Sequence, residues 1–260
     1  MKLEMISRKP ESATRPSPIL FVHGAFHAAW CWDEHFLPYF AANGFESHAL
    51  SLRGHGESDG RAKLRWTSLA DYAADVATVA SLLGRPPIVV GHSLGGAVVQ
   101  KYLETHASPA GVLLASVPSN GVWMTTWAFA RQDPLAVVKT NLFADLRYYL
   151  PVLKKQLFSD ELPEAQREAY FSRLETNESY RVNVDLSLLN LPKPKLVKAP
   201  ILVMGAANDQ VITREQVEVT ARAYGTVPEI FSGMAHSMML EKDWRSVADR
   251  MIAWLSERCG

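Results

Sequence analysis

The hydrophobic pattern alternates between short unbroken apolar runs and longer stretches in which apolar residues recur at helical spacing. A short unbroken apolar run is typical of a strand buried on both faces of a parallel sheet, because neither face meets water. Runs of this kind predict central strands at residues 19–22, 88–90, 111–116 and 200–205. Weaker patterns predict further strands at residues 2–9, 46–52 and 229–231.

Helical periodicity fills most of the chain between these runs. Ser68 and Asp71 have the spacing of a capping box, and the apolar residues that follow share one helix face. Helices are predicted at residues 30–42, 69–83, 94–106, 213–225 and 239–258. Strands that alternate with helices indicate an α/β fold, in which a mostly parallel, doubly wound sheet is covered by helices on both sides.

The alternation stops between residues 118 and 194, where prolines interrupt the helical periodicity and large apolar residues are frequent. We therefore predict a single α/β domain over residues 1–260, with a helical cap at residues 118–195 inserted in it. Because a helix must bury its apolar stripe, the cap should lie over the carboxyl edge of the sheet and line a pocket there. The residues expected to contact substrate are Phe26, Trp123, Trp127 and Phe143.

Composition narrows the classes of function. Lys and Arg total 27, and Asp and Glu also total 27, so no net positive charge suggests a nucleic-acid partner. Two cysteines, Cys31 and Cys259, cannot form a disulfide framework or a metal cluster. The N-terminal residues lack a signal-peptide core, and no stretch is long and apolar enough to span a membrane. We expect a cytoplasmic protein that uses no metal or cofactor; the sequence indicates no oligomeric state.

The residues between the second central strand pattern, at 88–90, and its helix match G-x-S-x-G, as Gly91-His92-Ser93-Leu94-Gly95. A serine on a tight strand-to-helix turn needs neighbours without a Cβ, since the backbone there is crowded. The turn would lift the Ser93 hydroxyl above the sheet, at the positive end of the helix dipole.

Asp209 and His236 also follow predicted strands, so Ser93, Asp209 and His236 should meet at the carboxyl edge of the sheet. Serine is a weak nucleophile without an adjacent base. His236 would accept its proton, and Asp209 would hold the imidazole tautomer. Asp133 and Asp185 are competing acids, but both lie in the predicted insertion rather than at a strand end.

A developing oxyanion needs two backbone donors. The N–H of Leu94, directly after the serine, is one candidate, and the N–H of Ala25, in the loop after the strand at 19–22, is the other. His23 and His55 are expected to brace loops and Cys31 to be a packing residue. The roles of His27 and His92 are left open.

The sequence resembles the α/β-hydrolase superfamily over essentially its whole length. The resemblance rests on five spaced motifs: His23-Gly24-Ala25, Gly54-His55-Gly56-Glu57-Ser58, Gly91-His92-Ser93-Leu94-Gly95-Gly96, Asn208-Asp209 and Gly233-x-x-His236. It implies Ser93 as nucleophile, Asp209 as acid, His236 as base, and Ala25 and Leu94 as the oxyanion hole. The loop at 23–32 is similar to that of plant methylesterases and hydroxynitrile lyases, although Ala28 stands where those usually have glycine.

These observations predict a cofactor-free serine hydrolase that cleaves a small-molecule lipophilic carboxylic ester through an acyl-enzyme on Ser93, with His236 as base and Asp209 as acid. Several alternatives use the same residues: a hydroxynitrile lyase, a cofactor-free dioxygenase, a thioesterase or a C–C hydrolase. A ligand receptor with a vestigial triad is a further alternative, from a different class.

Overall fold

The computed structural model describes residues 1–12, 14–121, 153 and 156–259. Its strands are β1 (Met5–Arg8), β2 (Ile19–Val22), β3 (Ser47–Leu50), β4 (Ile88–His92), β5 (Gly111–Leu114), β6 (Ile201–Ala206) and β7 (Glu229–Phe231). They form one seven-stranded sheet in the order β1-β3-β2-β4-β5-β6-β7. β1 runs antiparallel to β3, and every other neighbouring pair is parallel.

The α-helices are α1 (Trp30–Asp33), α2 (Phe36–Ala42), α3 (Leu69–Leu82), α4 (Leu94–Leu103), α5 (Glu164–Phe171), α6 (Tyr180–Val184), α7 (Arg214–Ala223) and α8 (Trp244–Cys259). The capping box predicted for α3 is present: the Ser68 hydroxyl accepts from the Asp71 N–H at 3.1 Å, and the Asp71 carboxylate accepts from the Ser68 N–H at 2.9 Å. The predicted α/β class, with a mostly parallel sheet, is confirmed.

Strand β2 shows why the sheet is covered on both sides. Its side chains alternate between the two faces. Ile19 and Phe21 belong to one buried apolar cluster, which includes residues of α2 and α8. Leu20 and Val22 belong to a second cluster, which includes residues of α3 and α4. An unbroken apolar run is therefore required at this position, as the sequence pattern indicated.

The helix predicted at 30–42 is wrong as a single element, because the structure divides it into α1 and α2. Pro38 explains the break. Its ring would clash with the carbonyl of Glu34 in a continuous helix. Pro38 is the third residue of α2, a position whose backbone N–H has no acceptor within the helix. The missing N–H of proline therefore costs α2 no hydrogen bond.

The last predicted helix begins five residues later than expected, at Trp244 rather than Met239. Residues 239–243 form turns instead: the Leu240 N–H bonds to the Ser237 carbonyl at 2.8 Å, and the Trp244 N–H bonds to the Glu241 carbonyl at 3.1 Å. The apolar Met239 and Leu240, which extended the helical pattern, are buried from these turns.

Helix α8 completes the cluster on its side of the sheet. Val247, Met251 and Leu255 are almost fully buried there, together with Phe36 and Phe40 of α2. Polar contacts add to this packing, because the Tyr39 hydroxyl donates to Asp249. The two helices thus close one face of the sheet together.

The chain between β5 and β6 is called here the β5–β6 connection, residues 115–200. Its described part holds α5, α6 and single turns of other helix types, and no strand occurs among its described residues. Trp123, Trp127 and Phe143 lie outside the described residues. Within the described ranges, no helix is long and apolar enough to cross a membrane.

Candidate active site

Ser93 occupies a sharp turn between β4 and α4. Its backbone has φ 52° and ψ −118°, a conformation that residues with a Cβ rarely adopt. The turn is held on both sides: the Ser93 N–H donates to the Leu114 carbonyl at 3.1 Å, and the Ser93 carbonyl accepts from Val117 at 3.1 Å. The neighbouring glycine is needed, because a Cβ on Gly95 would lie 2.3 Å from the Val22 carbonyl oxygen.

His236 and Asp209 form a buried pair. The distance from His236 Nδ1 to Asp209 Oδ2 is 2.8 Å. The other carboxylate oxygen of Asp209 accepts from the N–H groups of Val211 at 2.8 Å and Ile212 at 2.9 Å. With Nδ1–H donating to the carboxylate, Nε2 of His236 is the nitrogen left to accept a proton.

The competing acid Asp185 does not bond to His236. Asp185 is buried elsewhere, where its carboxylate accepts from the Leu69 N–H at 2.9 Å and from Arg181 at 3.0 Å. It therefore caps α3. Asp133 lies outside the described residues.

His92, which directly precedes the serine, joins the Ser93 turn to the loop of His236. Its Nε2 lies 2.9 Å from the His236 carbonyl oxygen, and the two imidazole rings have centroids 4.7 Å apart. The structure thus brings His236 to the Ser93 turn. Within the described part of the chain, no hydrogen bond joins the Ser93 hydroxyl to the His236 imidazole; such bonds are often long before substrate binds.

The loop after β2 lies directly against this turn. A Cβ on Gly24 would be 3.0 Å from the Ser93 Cβ, so the two backbones pass in close contact. Phe26 is half-buried and adopts the left-handed region, with φ 63°. Among the described residues, the N–H groups of Ala25 and Leu94 have no hydrogen-bond acceptor, as the two donors of an oxyanion hole require before substrate binds.

Three histidines around the turn are buried and neutral. Burial lowers the pKa of His23 to about 3 and that of His27 to about 4, and it holds the pKa of His92 well below its ordinary value. His23 braces the loop as predicted, since its Nδ1 lies 2.8 Å from the Gly24 carbonyl and its Nε2 accepts from the Leu52 N–H at 3.0 Å. Cys31 is buried, in agreement with its predicted packing role.

Two buried glutamates near the site were missed by the sequence analysis. Glu241 accepts from the N–H of Ser159 at 2.7 Å, from its hydroxyl at 2.6 Å and from the Ala235 N–H at 3.2 Å. It thereby ties the β5–β6 connection to the residue before His236. Glu178, in the same connection, contacts the loop of Phe26. No motif marks either residue, because an isolated glutamate usually indicates an exposed position.

The arrangement brings together a serine turn, an imidazole bonded to a carboxylate, and free backbone N–H groups, which are the kinds of group that acyl transfer uses. Within the described residues, no group of three or more His, Cys, Asp or Glu side chains could hold a metal ion. Phe26 is the one predicted substrate contact whose place the structure gives, since Trp123, Trp127 and Phe143 are outside the described ranges.

Comparison with known proteins adds three findings. Residues 19–250 match the model of the Alpha/beta hydrolase family. The protein named "Probable esterase PIR7A" from Oryza sativa subsp. indica is 28% identical over 227 residues, 82% of this chain and 76% of that protein. A monoacylglycerol lipase from Mycolicibacterium smegmatis is 22% identical, over 91% of this chain and 87% of its own.

A solved structure shows the same fold. The monoacylglycerol lipase of Paleococcus ferrophilus superposes with a TM-score of 0.75 at 18% identity, and the match covers 99% of this chain and 100% of that one. The sheet and the covering helices of the described residues therefore have the same fold as that structure.

Proposed function

The chain belongs to the alpha/beta hydrolase family, and from this premise we propose that it hydrolyses carboxylic esters through an acyl-enzyme on Ser93. Ester hydrolysis agrees with the names of its relatives, an esterase and a monoacylglycerol lipase. We also propose that residues 1–260 form one domain, with residues 118–195 as a helical cap over the carboxyl edge of the sheet.

The observation that carries this proposal is the His236–Asp209 pair, with its 2.8 Å hydrogen bond, placed against the strained turn of Ser93. A buried carboxylate fixed by two backbone N–H groups keeps the imidazole in one tautomer. A serine hydroxyl beside such an imidazole can lose its proton as it attacks.

The reaction has two steps in this proposal. In the first, Ser93 Oγ attacks the ester carbonyl while His236 Nε2 takes its proton, and the N–H groups of Ala25 and Leu94 bind the oxyanion. The C–O bond then breaks, and His236 returns the proton to the departing alcohol. In the second, water attacks the acyl-enzyme with His236 again as base, which releases the acid and frees Ser93.

The substrate we propose is a small-molecule lipophilic ester, with a medium or long acyl chain or an aryl group. The proposal rests on the apolar residues of the predicted cap, including Trp123, Trp127 and Phe143, and on Phe26 beside the site. Each methylene that such a pocket buries gains about 0.8 kcal/mol, so kcat/KM should rise along an acyl series until the pocket is full.

The test is hydrolysis of p-nitrophenyl esters from acetate to decanoate by the wild type, Ser93→Ala and the surface control Ser81→Ala. Ser93→Ala should lose kcat by on the order of 10⁶, the cost of removing a serine nucleophile, while Ser81→Ala keeps full activity. A fluorophosphonate should label the wild type and Ser81→Ala only. Activity of Ser93→Ala within tenfold of wild type would overturn the nucleophile, and acetate exceeding octanoate tenfold would overturn the lipophilic pocket.

A further inference from the structure

Glu178 places a buried carboxylate at the junction of four chain segments. Its Oε2 lies 3.1 Å from His55 Nε2 and 3.4 Å from the Phe26 nitrogen. Its Oε1 accepts from the Tyr72 hydroxyl at 2.7 Å and from the Ser179 N–H at 2.7 Å. The residue comes from the β5–β6 connection, whereas three of these donors come from the turn after β3, from α3 and from the loop after β2.

The carboxylate is charged and faces a charged partner. Burial opposes the charge on Glu178, but His55 and the other donors hold the pKa of Glu178 at about 2. Burial likewise opposes the charge on His55, yet Glu178 raises the pKa of His55 above its ordinary value. Both ring nitrogens of His55 are within donating distance of an acceptor, Nδ1 at 3.2 Å from the Arg53 carbonyl, as an imidazolium requires.

A buried ion pair contributes little to stability by itself, because desolvation of the two charges offsets their attraction. Its position is more informative. Glu178 of this pair contacts the backbone nitrogen of Phe26, the residue after the proposed oxyanion donor Ala25. Phe26 has a positive φ of 63°, which a residue with a side chain rarely adopts.

The β5–β6 connection holds Phe26 from both sides of its backbone. The Phe26 N–H points to the Glu178 carboxylate, and the Phe26 carbonyl accepts from the Glu175 N–H at 2.7 Å. Because the peptide between Ala25 and Phe26 is planar, fixing the Phe26 nitrogen also fixes the Ala25 carbonyl. The Ala25 N–H belongs to the preceding peptide, so its direction then depends only on the two backbone torsions at the Ala25 Cα.

We propose that Glu178 is a positioning residue, whose carboxylate fixes the Ala25–Phe26 peptide and thereby restricts the Ala25 backbone to the conformation that directs the Ala25 N–H at the oxyanion. This inference rests on the proposed function. It assigns the β5–β6 connection a part in catalysis as well as in binding, since the oxyanion hole is complete only while Glu178 is in place.

The test compares Glu178→Gln with Glu175→Gln. Glu175 is the matched control because its side chain also accepts from the same turn, from the Gly56 N–H at 3.1 Å, and pairs with Arg61 at 2.8 Å. Its hydrogen bond to Phe26 comes from the backbone N–H, which the substitution retains. Glu178→Gln should lower kcat by on the order of 10², the size of one lost oxyanion donor, with KM little changed. Glu175→Gln should keep kcat.

Two further readouts separate positioning from a general loss of stability. The affinity for an alkyl trifluoromethyl ketone, which mimics the tetrahedral intermediate, should weaken in Glu178→Gln by the same factor as kcat/KM. Amide hydrogen exchange of the peptide spanning residues 23–29 should quicken in Glu178→Gln and stay unchanged in Glu175→Gln. If Glu178→Gln fails to fold, Tyr72→Phe, which removes one donor to the same carboxylate, should show smaller changes in the same direction.

Unchanged exchange at residues 23–29, or equal losses of kcat in the two glutamine variants, would overturn the inference. The exchange measurement needs no turnover. A wild-type protein that cleaves no ester therefore defeats the proposed function, while exchange still reports separately whether Glu178 orders the loop.

Discussion

Backbone strain at Ser93 is concentrated where the proposed chemistry needs it. A residue with a Cβ in such a conformation costs on the order of 1–3 kcal/mol, so it persists only when its surroundings fix it. Here the backbone N–H and carbonyl of Ser93 are bound to Leu114 and Val117 of the neighbouring strand and loop. The hydroxyl is left without a structural bond among the described residues, and so it is free to react.

Asp209→Asn tests the acid. The amide is nearly the same size and still accepts from Val211 and Ile212, but its NH₂ group cannot accept the Nδ1–H of His236 and favours the wrong tautomer. We expect kcat to fall by on the order of 10⁴, with the fold retained. Asp185→Asn is the control and should leave kcat unchanged while it lowers the melting temperature, because Asp185 caps α3. The reverse pattern would identify Asp185 rather than Asp209 as the acid.

Single residues were predictable wherever chemistry restricts the choice. The order of Ser93, Asp209 and His236 after strand ends was visible in the sequence, and the structure brings these residues to one edge of the sheet. Glu178 and Glu241 were invisible because nothing local distinguishes a buried glutamate from an exposed one. Their burial depends on donors that are 106 and 82 residues away, Tyr72 and Ser159.

Helix α4 lies unusually close to the sheet. A Cβ on Gly95 would lie 2.3 Å from the Val22 carbonyl oxygen and 2.4 Å from that of His23. Both are backbone atoms, which cannot rotate away as a side chain can. The absence of a side chain at Gly95 thus sets the distance between α4 and β2. It also sets the position of the Ser93 turn relative to the sheet.

Gly95→Ala should therefore destabilise the fold by at least the roughly 3 kcal/mol typical of a severely overpacked core. Gly84→Ala is a useful contrast, because a Cβ there meets nothing within 4 Å and only its positive φ of 71° opposes the change. We expect that variant to lose only about 1–2 kcal/mol. Urea unfolding at neutral pH measures both, and equal losses would contradict the close seating of α4.

Helices were predicted best where the hydrophobic period and the residues that mark the ends of a helix agree. Helix α3, with its capping box and terminal glycine, lies where the pattern placed it. The division at α1 and α2 was missed because the apolar period continues through Glu34 and His35, although Pro38 marks the break. The start of α8 was missed because Met239 and Leu240 are buried by tertiary contacts rather than by a helical stripe.

For the whole molecule, the buried histidines make stability depend on pH. The folded-state pKa values of His23, His27 and His92 lie below the value of about 6.5 that an unfolded chain has. As the pH falls below about 6.5, the unfolded chain takes up protons that the folded protein cannot, so stability is lost down to the folded pKa values. The raised pKa of His55 acts in the opposite sense. The stability that it contributes is fully present below about pH 6.5 and is lost as the pH rises through the folded-state pKa of His55.

The free energy of unfolding should therefore fall between pH 6 and pH 4.5, by up to about 1.4 kcal/mol per pH unit for each of the three histidines. Urea unfolding at several pH values measures the slope. His27→Asn, whose amide nitrogen can replace the Nδ1 that lies 2.9 Å from the Ala25 carbonyl, should remove one histidine's share of it. A stability that stays constant over this range would mean that these histidines are charged in the folded protein.

The pairing of α2 with α8 has a consequence for how the protein is made. β2 and α2 are synthesised early and leave the ribosome first. The apolar face that they present is covered only when α8 has been synthesised. Until then Phe36 and Phe40 lack the members of their cluster that α8 supplies, Met251 and Leu255 among them. The nascent chain must carry that uncovered surface through most of its synthesis, which is the state in which a chain aggregates or engages a chaperone. Native activity should consequently appear after translation of α8 and not progressively before it.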